Sequence, residues 1–257
     1  MPNYFEKLSR VSPAKVWDLI SNPWRLPLVL HPPRNFRSSV DAARAFFPDL
    51  TSQQAKDLRL QFLRNTTFFA GINEKMVSRR ERHATYHQWN EFVYLVVRIY
   101  KPHVMIETGV FDGQSSAVIL QALHDNQSGK LVSVDLPARS SMDQSTQCMP
   151  ESALPSDCQP GWIIPNYLKE RHQLVLGDSK KVLPELFEKH PQIDIFFHDS
   201  LHTYEHMSFE YNLAWPHLSS GGVLLSDDIL WNAAFSKFCR ENKRLYVCLG
   251  NFGAVRK

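Results

Sequence analysis

The sequence predicts an α/β fold: a doubly wound parallel sheet with one antiparallel strand near its C-terminal end, preceded by a helical cap. Three observations lead there. From Val104 onward, short apolar runs alternate with helical patterns. The first of those runs leads through a glycine turn into a helix, VMIETGVFDGQSS (Val104–Ser116). Before it, residues 1 to about 80 show helical spacing and no strand-like alternation. Repeated strand–helix units place a parallel sheet between two layers of helices, in the Rossmann-like manner.

Taken in order, Ser12–Ser21 and Thr51–Thr66 read as helices, with Ser12 and Thr51 as N-caps. A proline-rich link, Pro23–Pro33, lies between them. A further helix runs from about His83 to Tyr100, with Phe92, Leu95, Val96 and Tyr100 on one face, and Pro102 stops it. Strand Val104–Glu107 and helix Ser115–His124 follow, then strand Leu131–Asp135. Asn166–Arg171 reads as the end of a helix, Leu174–Leu176 as a strand and Lys180–His190 as a helix. Strand Ile193–Phe197 leads to helix Tyr204–His217, and strand Gly222–Leu225 to helix Ala233–Glu241. Leu245–Leu249 and Gly253–Arg256 face each other across a turn at Gly250–Asn251, which supplies the antiparallel strand. The expected division is a helical cap over residues 1–82 and a Rossmann-like domain over 83–257.

One connection is anomalous. Leu136–Pro165 spans about thirty residues rich in Pro, Ser and Asp. A loop of that length inside a compact domain is usually functional or disordered. It leaves the carboxyl end of a strand, where open α/β sheets bind ligands, so it reads as a lid.

Composition narrows the class. At 257 residues, 43% hydrophobic and 21% charged, the chain has the make-up of a soluble globular protein. A net charge of +3 gives no argument for nucleic acid, and the basic pentad Ser78–Arg82 reads as a solvated helix end. No apolar run reaches the length of a membrane span, and the N-terminus has no signal-peptide pattern, so a cytoplasmic location is the default expectation. Cys148, Cys158, Cys239 and Cys248 form no C-x-x-C pattern. Cys148 and Cys158 share the long loop and could pair if oxidised, while free thiols suit a reducing compartment.

The chemistry starts at the glycine turn. Gly109 and Gly113 let the backbone approach a ligand closely, and Ser115 opens a helix whose free N–H groups face it. Dinucleotide sites use G-x-G-x-x-G, and here Phe111 stands at the second glycine. Glu107 and Thr108 end the strand, and an acidic strand end suits a ligand with a cationic amino group and no phosphate: S-adenosylmethionine (SAM). The alternative is a glycine turn in an α/β protein of another kind. Asp135, 26 residues past Gly109, is placed to grip a ribose diol. Asp178 either meets the adenine amine or caps the next helix. Asp199 follows the fourth strand of the series, and Asp227 and Asp228 follow the fifth. Three carboxylates at one rim repel one another and call for a cation. Oxygen donors without cysteine indicate Mg²⁺, with Mn²⁺ or Ca²⁺ as alternatives.

These motifs, in this order, resemble a class I SAM-dependent methyltransferase. FHDSLHTYEHM (Phe197–Met207) and GGVLLSDDILWN (Gly221–Asn232) are similar to the cation-dependent O-methyltransferases, which include catechol, caffeoyl-CoA and macrocin-type sugar enzymes. The run Gly161–Phe235 also looks like cephalosporin hydroxylase-like proteins. The resemblance covers about residues 85–257. It implies Asp199, Asp227 and Asp228 as metal ligands, and a base three residues after Asp199. Catechol-type members carry lysine there; this chain carries His202, an imidazole able to accept a proton near neutral pH. Asp199 is the second candidate for that proton, and His198 is expected to line the cofactor pocket.

The implied reaction is methyl transfer from SAM to a metal-bound hydroxyl of a small molecule: a sugar, a glycoside or a phenol. Two other classes compete. One is a hydroxylase-like oxidoreductase, against which stands the lack of a His-x-Asp facial triad and of a dinucleotide glycine pattern. The other is a SAM-binding protein without small-molecule methyltransferase activity. The expected partner is a hydroxylated small molecule, with no nucleic acid and no membrane, and a homo-oligomer is compatible with the sequence.

Overall fold

The computed structural model describes residues 34–81, 83–137, 154–155 and 157–257. The expected helix Ser12–Ser21, the link Pro23–Pro33, Cys148 and most of the Leu136–Pro165 loop lie outside the described residues.

The chain runs β1 (Arg34–Phe36), α1 (Ser39–Phe46), α2 (Ser52–Leu63), α3 (Thr66–Arg80), α4 (Gln88–Tyr100), β2 (Val104–Thr108), α5 (Gln114–Asp125) and β3 (Lys130–Asp135). A 3-10 turn (Asn166–Arg171) leads to β4 (His172–Leu176), α6 (Ser179–Lys189), β5 (Ile193–His198), α7 (Tyr204–His217), β6 (Leu218–Ser226), α8 (Ala234–Glu241), β7 (Tyr246–Leu249) and β8 (Phe252–Arg256). The strands form one sheet in the order β1-β7-β8-β6-β5-β2-β3-β4. Strand β8 runs antiparallel to both its neighbours, β6 and β7, and every other pair is parallel. The expected doubly wound sheet with one reversed strand is therefore present.

Three elements differ from the sequence reading. Strand β1 joins the sheet edge, with Arg34 opposite Val247 and Phe36 opposite Leu249. Three residues, two of them polar, are too few for period-two alternation to register, so pairing alone defines this strand. Helix α1 was not foreseen either; Ser38 caps it by accepting from the Asp41 N–H. The helix expected to end at Thr66 stops at Leu63, because Asn65 caps a new helix, α3, through the Phe68 N–H (3.0 Å). The capping expected at Thr51 is observed, with Gln54 answering in a capping box.

Two apolar layers sandwich the sheet. On one face, Phe46, Phe62, Phe68 and Ile72 from α1–α3 pack with Phe92–Val97 of α4 and with Met105, Ile195 and Phe197 of the strands. On the other, Phe187, Met207, Tyr211 and Phe238 from α6–α8 cover Ile106, Val132, Phe196 and Leu224. The alternation Ile195–Phe196–Phe197 sends successive side chains to opposite layers, as a strand buried on both faces requires. Each fully buried side chain of this kind contributes about 1.5–3 kcal/mol. Helices α1–α3 thus share one core with the sheet. The strand order reverses between β2 and β5, and the crevice beyond their carboxyl ends is where such sheets hold ligands.

Candidate active site

The glycine turn leaves β2 at that crevice. Gly109 (φ 82°), Phe111 (φ 51°) and Gly113 (φ 99°) all take left-handed backbone, which costs a residue with a side chain about 1 kcal/mol or more. Phe111 is held there by its own N–H, donated to Asp135 Oδ2 (2.8 Å), and by its carbonyl, which accepts from Gly161 N–H (2.8 Å). Asp135 also accepts from the N–H groups of Val110 (2.9 Å) and Leu136 (2.7 Å). The residue expected at the ribose therefore stands beside the turn, with its carboxylate clamping the turn's backbone.

The glycines answer to the chain itself. A Cβ on Gly109 would lie 1.9 Å from the Asp199 carbonyl oxygen, and one on Gly113 would lie 2.6 Å from Gly161 Cα. The sequence reading left the space beyond Gly109 for the ligand; in the structure, the backbone that follows β5 fills it. Asp112, within the turn, accepts from Arg80 of α3 and from Trp162 Nε1, both at 2.7 Å. The guanidinium of Arg80 also lies 5.0 Å from the Phe111 ring centroid. The last turn of α3 thereby braces the glycine turn.

Glu107 is fully buried beneath the turn. One carboxylate oxygen accepts from Ser116 and Ser133; the other has no partner among the described residues. Burial pushes its carboxyl up to about 7, although the two serines act to lower it. A buried carboxylate with one unanswered oxygen fits a ligand that brings a donor or positive charge to the turn. Ser115 is buried in the first turn of α5, whose N-cap is Gly113. Asp178 caps α6 by accepting from Lys180 N–H (3.0 Å), the second of its two expected roles.

The loops after β5 and β6 lie across the crevice. The Asp199 N–H donates to the Thr108 carbonyl (2.8 Å), seating the loop after β5 on the end of β2. His202 stands between two carboxylates: Nδ1 is 3.5 Å from Asp228 Oδ2, and Nε2 is 3.9 Å from Asp199 Oδ1. Burial, with His198 nearby, lowers His202 to about 4, so its ring is neutral at physiological pH. Asp199 is pushed well above the usual carboxylate range by burial and then by Asp227, and Asp227 is raised to about 6 by burial and by Asp228. Asp228 takes left-handed backbone (φ 51°) and accepts from Asn251 Nδ2 (2.5 Å).

Asp199, Asp227, Asp228 and His202 are thus brought to one rim. The donor chemistry of the three aspartates suits a hard cation. The positions do not suit it: among the described residues, no three His, Cys, Asp or Glu side chains are arranged to hold a metal ion. Asp228 is instead engaged by Asn251 and faces His202. A cavity of about 580 Å³ opens beside Asp227 and Asp228, walled by Asn35, Arg37, Gln88 and Trp89. A second cavity of about 570 Å³ lies between Lys75, Arg79, Trp162, Lys169 and His172, with Asp157 also in its lining.

His198 does not border the glycine turn through its side chain. Its ring is fully buried against Tyr211 of α7 (centroids 5.4 Å apart), and Nδ1 is 2.6 Å from Glu210 Oε2. Strand alternation explains this, because His198 points to the same side as Phe196, into the α7 layer. Sequence reasoning missed Glu210, Asp112, Arg80 and Asn251. Only Glu210 carried a signal: it lies four residues after His206, one helical turn away on α7.

Residues 106–229 match the family model described as a methyltransferase domain. Among solved structures, the chain is similar to the SAH-bound methyltransferase PaMTH1 of Podospora anserina at 14% identity. That match has a TM-score of 0.50 and covers 72% of this chain and 87% of the other. It is equally similar to cofactor-bound Rv0187 from MTB, at 14% identity and a TM-score of 0.50, covering 76% of this chain and 94% of that one. Among curated proteins, nothing matches the chain. No helix among the described residues is long and apolar enough to cross a membrane.

Proposed function

Because residues 106–229 match a methyltransferase-domain model and lie on a Rossmann-like sheet, we propose that this protein transfers the methyl group of SAM to a hydroxyl of a small molecule, a sugar, glycoside or phenol. The observation that carries the reading is the seating of His202. A neutral imidazole flanked by Asp199 and Asp228 occupies the loop whose backbone touches Gly109 of the glycine turn. A proton acceptor and a nucleotide-type turn therefore share one crevice. PaMTH1 and Rv0187 hold SAH and a cofactor, respectively, in structures of this fold.

In this reading, the turn 109–113, Asp135 and the start of α5 hold SAM, and Glu107 offers its free oxygen beneath them. The acceptor enters from the side of Asp227, Asp228 and Trp89. Its hydroxyl hydrogen-bonds to His202, which takes the proton as the oxygen attacks the methyl carbon in line. The C–O bond forms as the C–S bond breaks, and S-adenosylhomocysteine leaves. The carboxylate of Asp228, 3.5 Å from Nδ1, stabilises the imidazolium. The chain contributes mainly orientation and charge placement.

The divalent cation, Mg²⁺ first, is a separate proposal. The mutual repulsion of Asp199, Asp227 and Asp228 supports it; the lack of a three-ligand arrangement does not.

The test is intact-mass analysis of a panel of methyl glycosides and catechols after incubation with SAM, with and without chelator. A gain of one methyl group with wild-type protein is expected. His202→Ala should lower turnover by about 10²-fold or more, with SAM affinity kept. A protein that binds no SAM would sink the reading.

A further inference from the structure

Glu210 is fully buried, on a helix that carries none of the expected site residues, and it collects four hydrogen bonds. Oε2 accepts from Thr108 Oγ1 (2.6 Å) and His198 Nδ1 (2.6 Å). Oε1 accepts from Ser200 Oγ (3.1 Å) and His206 Nε2 (2.8 Å), and His206 lies 3.1 Å from Ser179 Oγ. No Lys or Arg forms an ion pair with it among the described residues. Burying a carboxylate is costly unless every oxygen is answered, and here both oxygens are.

The origin of the donors gives this carboxylate its meaning. Thr108 immediately precedes Gly109 of the cofactor turn. His198 and Ser200 bracket Asp199, which lies three residues before His202. Ser179, reached through His206, immediately follows Asp178. Each side of the crevice therefore has a residue tied to one carboxylate. The same junction holds the Asp199 N–H on the Thr108 carbonyl and the Asp199 carbonyl against Gly109. His198 Nδ1 faces Glu210, and its Nε2 has no partner among the described residues.

We propose that Glu210 is the positioning residue that locks the acceptor loop (199–202) onto the end of β2, and so fixes the distance between methyl donor and proton acceptor. This rests on the methyltransfer reading for its catalytic consequence but not for its structural one. Glu210 is fully buried, so it acts through the four residues it bonds. The bonds that shape the glycine turn itself come from Asp135 and Gly161, so SAM binding should be nearly independent of Glu210.

The experiment compares wild type with Glu210→Gln, Thr108→Val and Ser200→Ala. Gln keeps the shape but offers an N–H₂ group to one of two imidazole donors, so one histidine must change tautomer or lose its bond. The first readout is amide hydrogen exchange. Exchange of the Asp199 N–H should quicken about tenfold or more in each variant, since hydrogen bonds to a buried charge are lost, while Ile106 in the core of β2 keeps its wild-type protection. The second is the histidine ¹⁵N spectrum, where the His198 Nδ1–H signal should shift in Glu210→Gln. The third is the kinetic split on whichever panel acceptor the wild type methylates: kcat down about tenfold or more, with SAM affinity within about threefold. If Glu210→Gln fails to fold, Thr108→Val and Ser200→Ala decide the matter. Unchanged Asp199 exchange in the folded variants overturns the proposal. So does a uniform rise at Asp199 and Ile106 alike, which would make Glu210 a general stabiliser. Absence of turnover by wild type would refute the methyltransfer reading and leave the exchange result standing on its own.

Discussion

Replacing Gly109 by alanine tests how the two halves of the crevice meet. The added Cβ would lie 1.9 Å from the Asp199 carbonyl oxygen and 2.4 Å from its carbon. Both are backbone atoms, so no rotamer change relieves the contact. The left-handed backbone at Gly109 (φ 82°) adds about 1–2 kcal/mol for a residue with a Cβ. Moving the Asp199 peptide away would also strain its 2.8 Å bond to Thr108, worth about 1 kcal/mol. The total is at least about 3 kcal/mol. Gly250→Ala is the control: its φ is also positive, at 64°, but a Cβ there meets nothing within 4 Å, so only the backbone cost of about 1 kcal/mol applies. Urea unfolding of both variants, checked for equal slope, measures the difference. Calorimetry of the folded fraction of Gly109→Ala then measures SAM affinity. Equal stability of the two variants would refute the packing argument. A Gly109→Ala variant of wild-type stability that no longer binds SAM would return the space beyond Gly109 to the ligand.

Three further outcomes follow from the same geometry. Asp227 has its folded-state pKa raised from 3.8 to about 6, so the folded protein binds the extra proton and stability falls as pH rises through that window. Asp227→Asn should thus be more stable than wild type by about 1–2 kcal/mol at pH 7.5 and no more stable at pH 3.5; an equal gain at both pH values would contradict the pKa assignment. If the carboxylates take a cation, Mg²⁺ should raise the melting temperature of wild type and have much less effect on Asp227→Ala. Full turnover after exhaustive chelation, with no thermal response, would remove the cation and leave His202 acting alone. Asp112→Ala strips the acceptor from both Arg80 and Trp162, and should cost about 2–4 kcal/mol with a red shift of tryptophan emission. Unchanged emission and stability would show that α3 does not brace the glycine turn.

The alternation from Val104 to Arg256 was legible because most strands are apolar runs and helices such as α6 and α7 carry their own side-chain caps. Local composition determines those features, and pairing partners are not needed to see them. The glycine turn, the aspartates at strand ends and the base candidate were legible for a related reason. In a parallel sheet, the residue that ends a strand arrives at the same rim whatever the rest of the chain does. The sequence could not show what those residues touch. Strand β1 exists only through its pairing with β7. Asp135 clamps backbone N–H groups, and Gly109 makes room for Asp199, because chain segments far apart in sequence come within van der Waals contact there. Asp228 turns to Asn251 and His202 instead of completing a three-carboxylate shell. Glu210 becomes the junction of the crevice through partners 102, 12, 10 and 4 residues away along the chain. Periodicity reports the face a side chain takes; contacts across the sheet depend on strand order and register, and those are set only when the whole core packs.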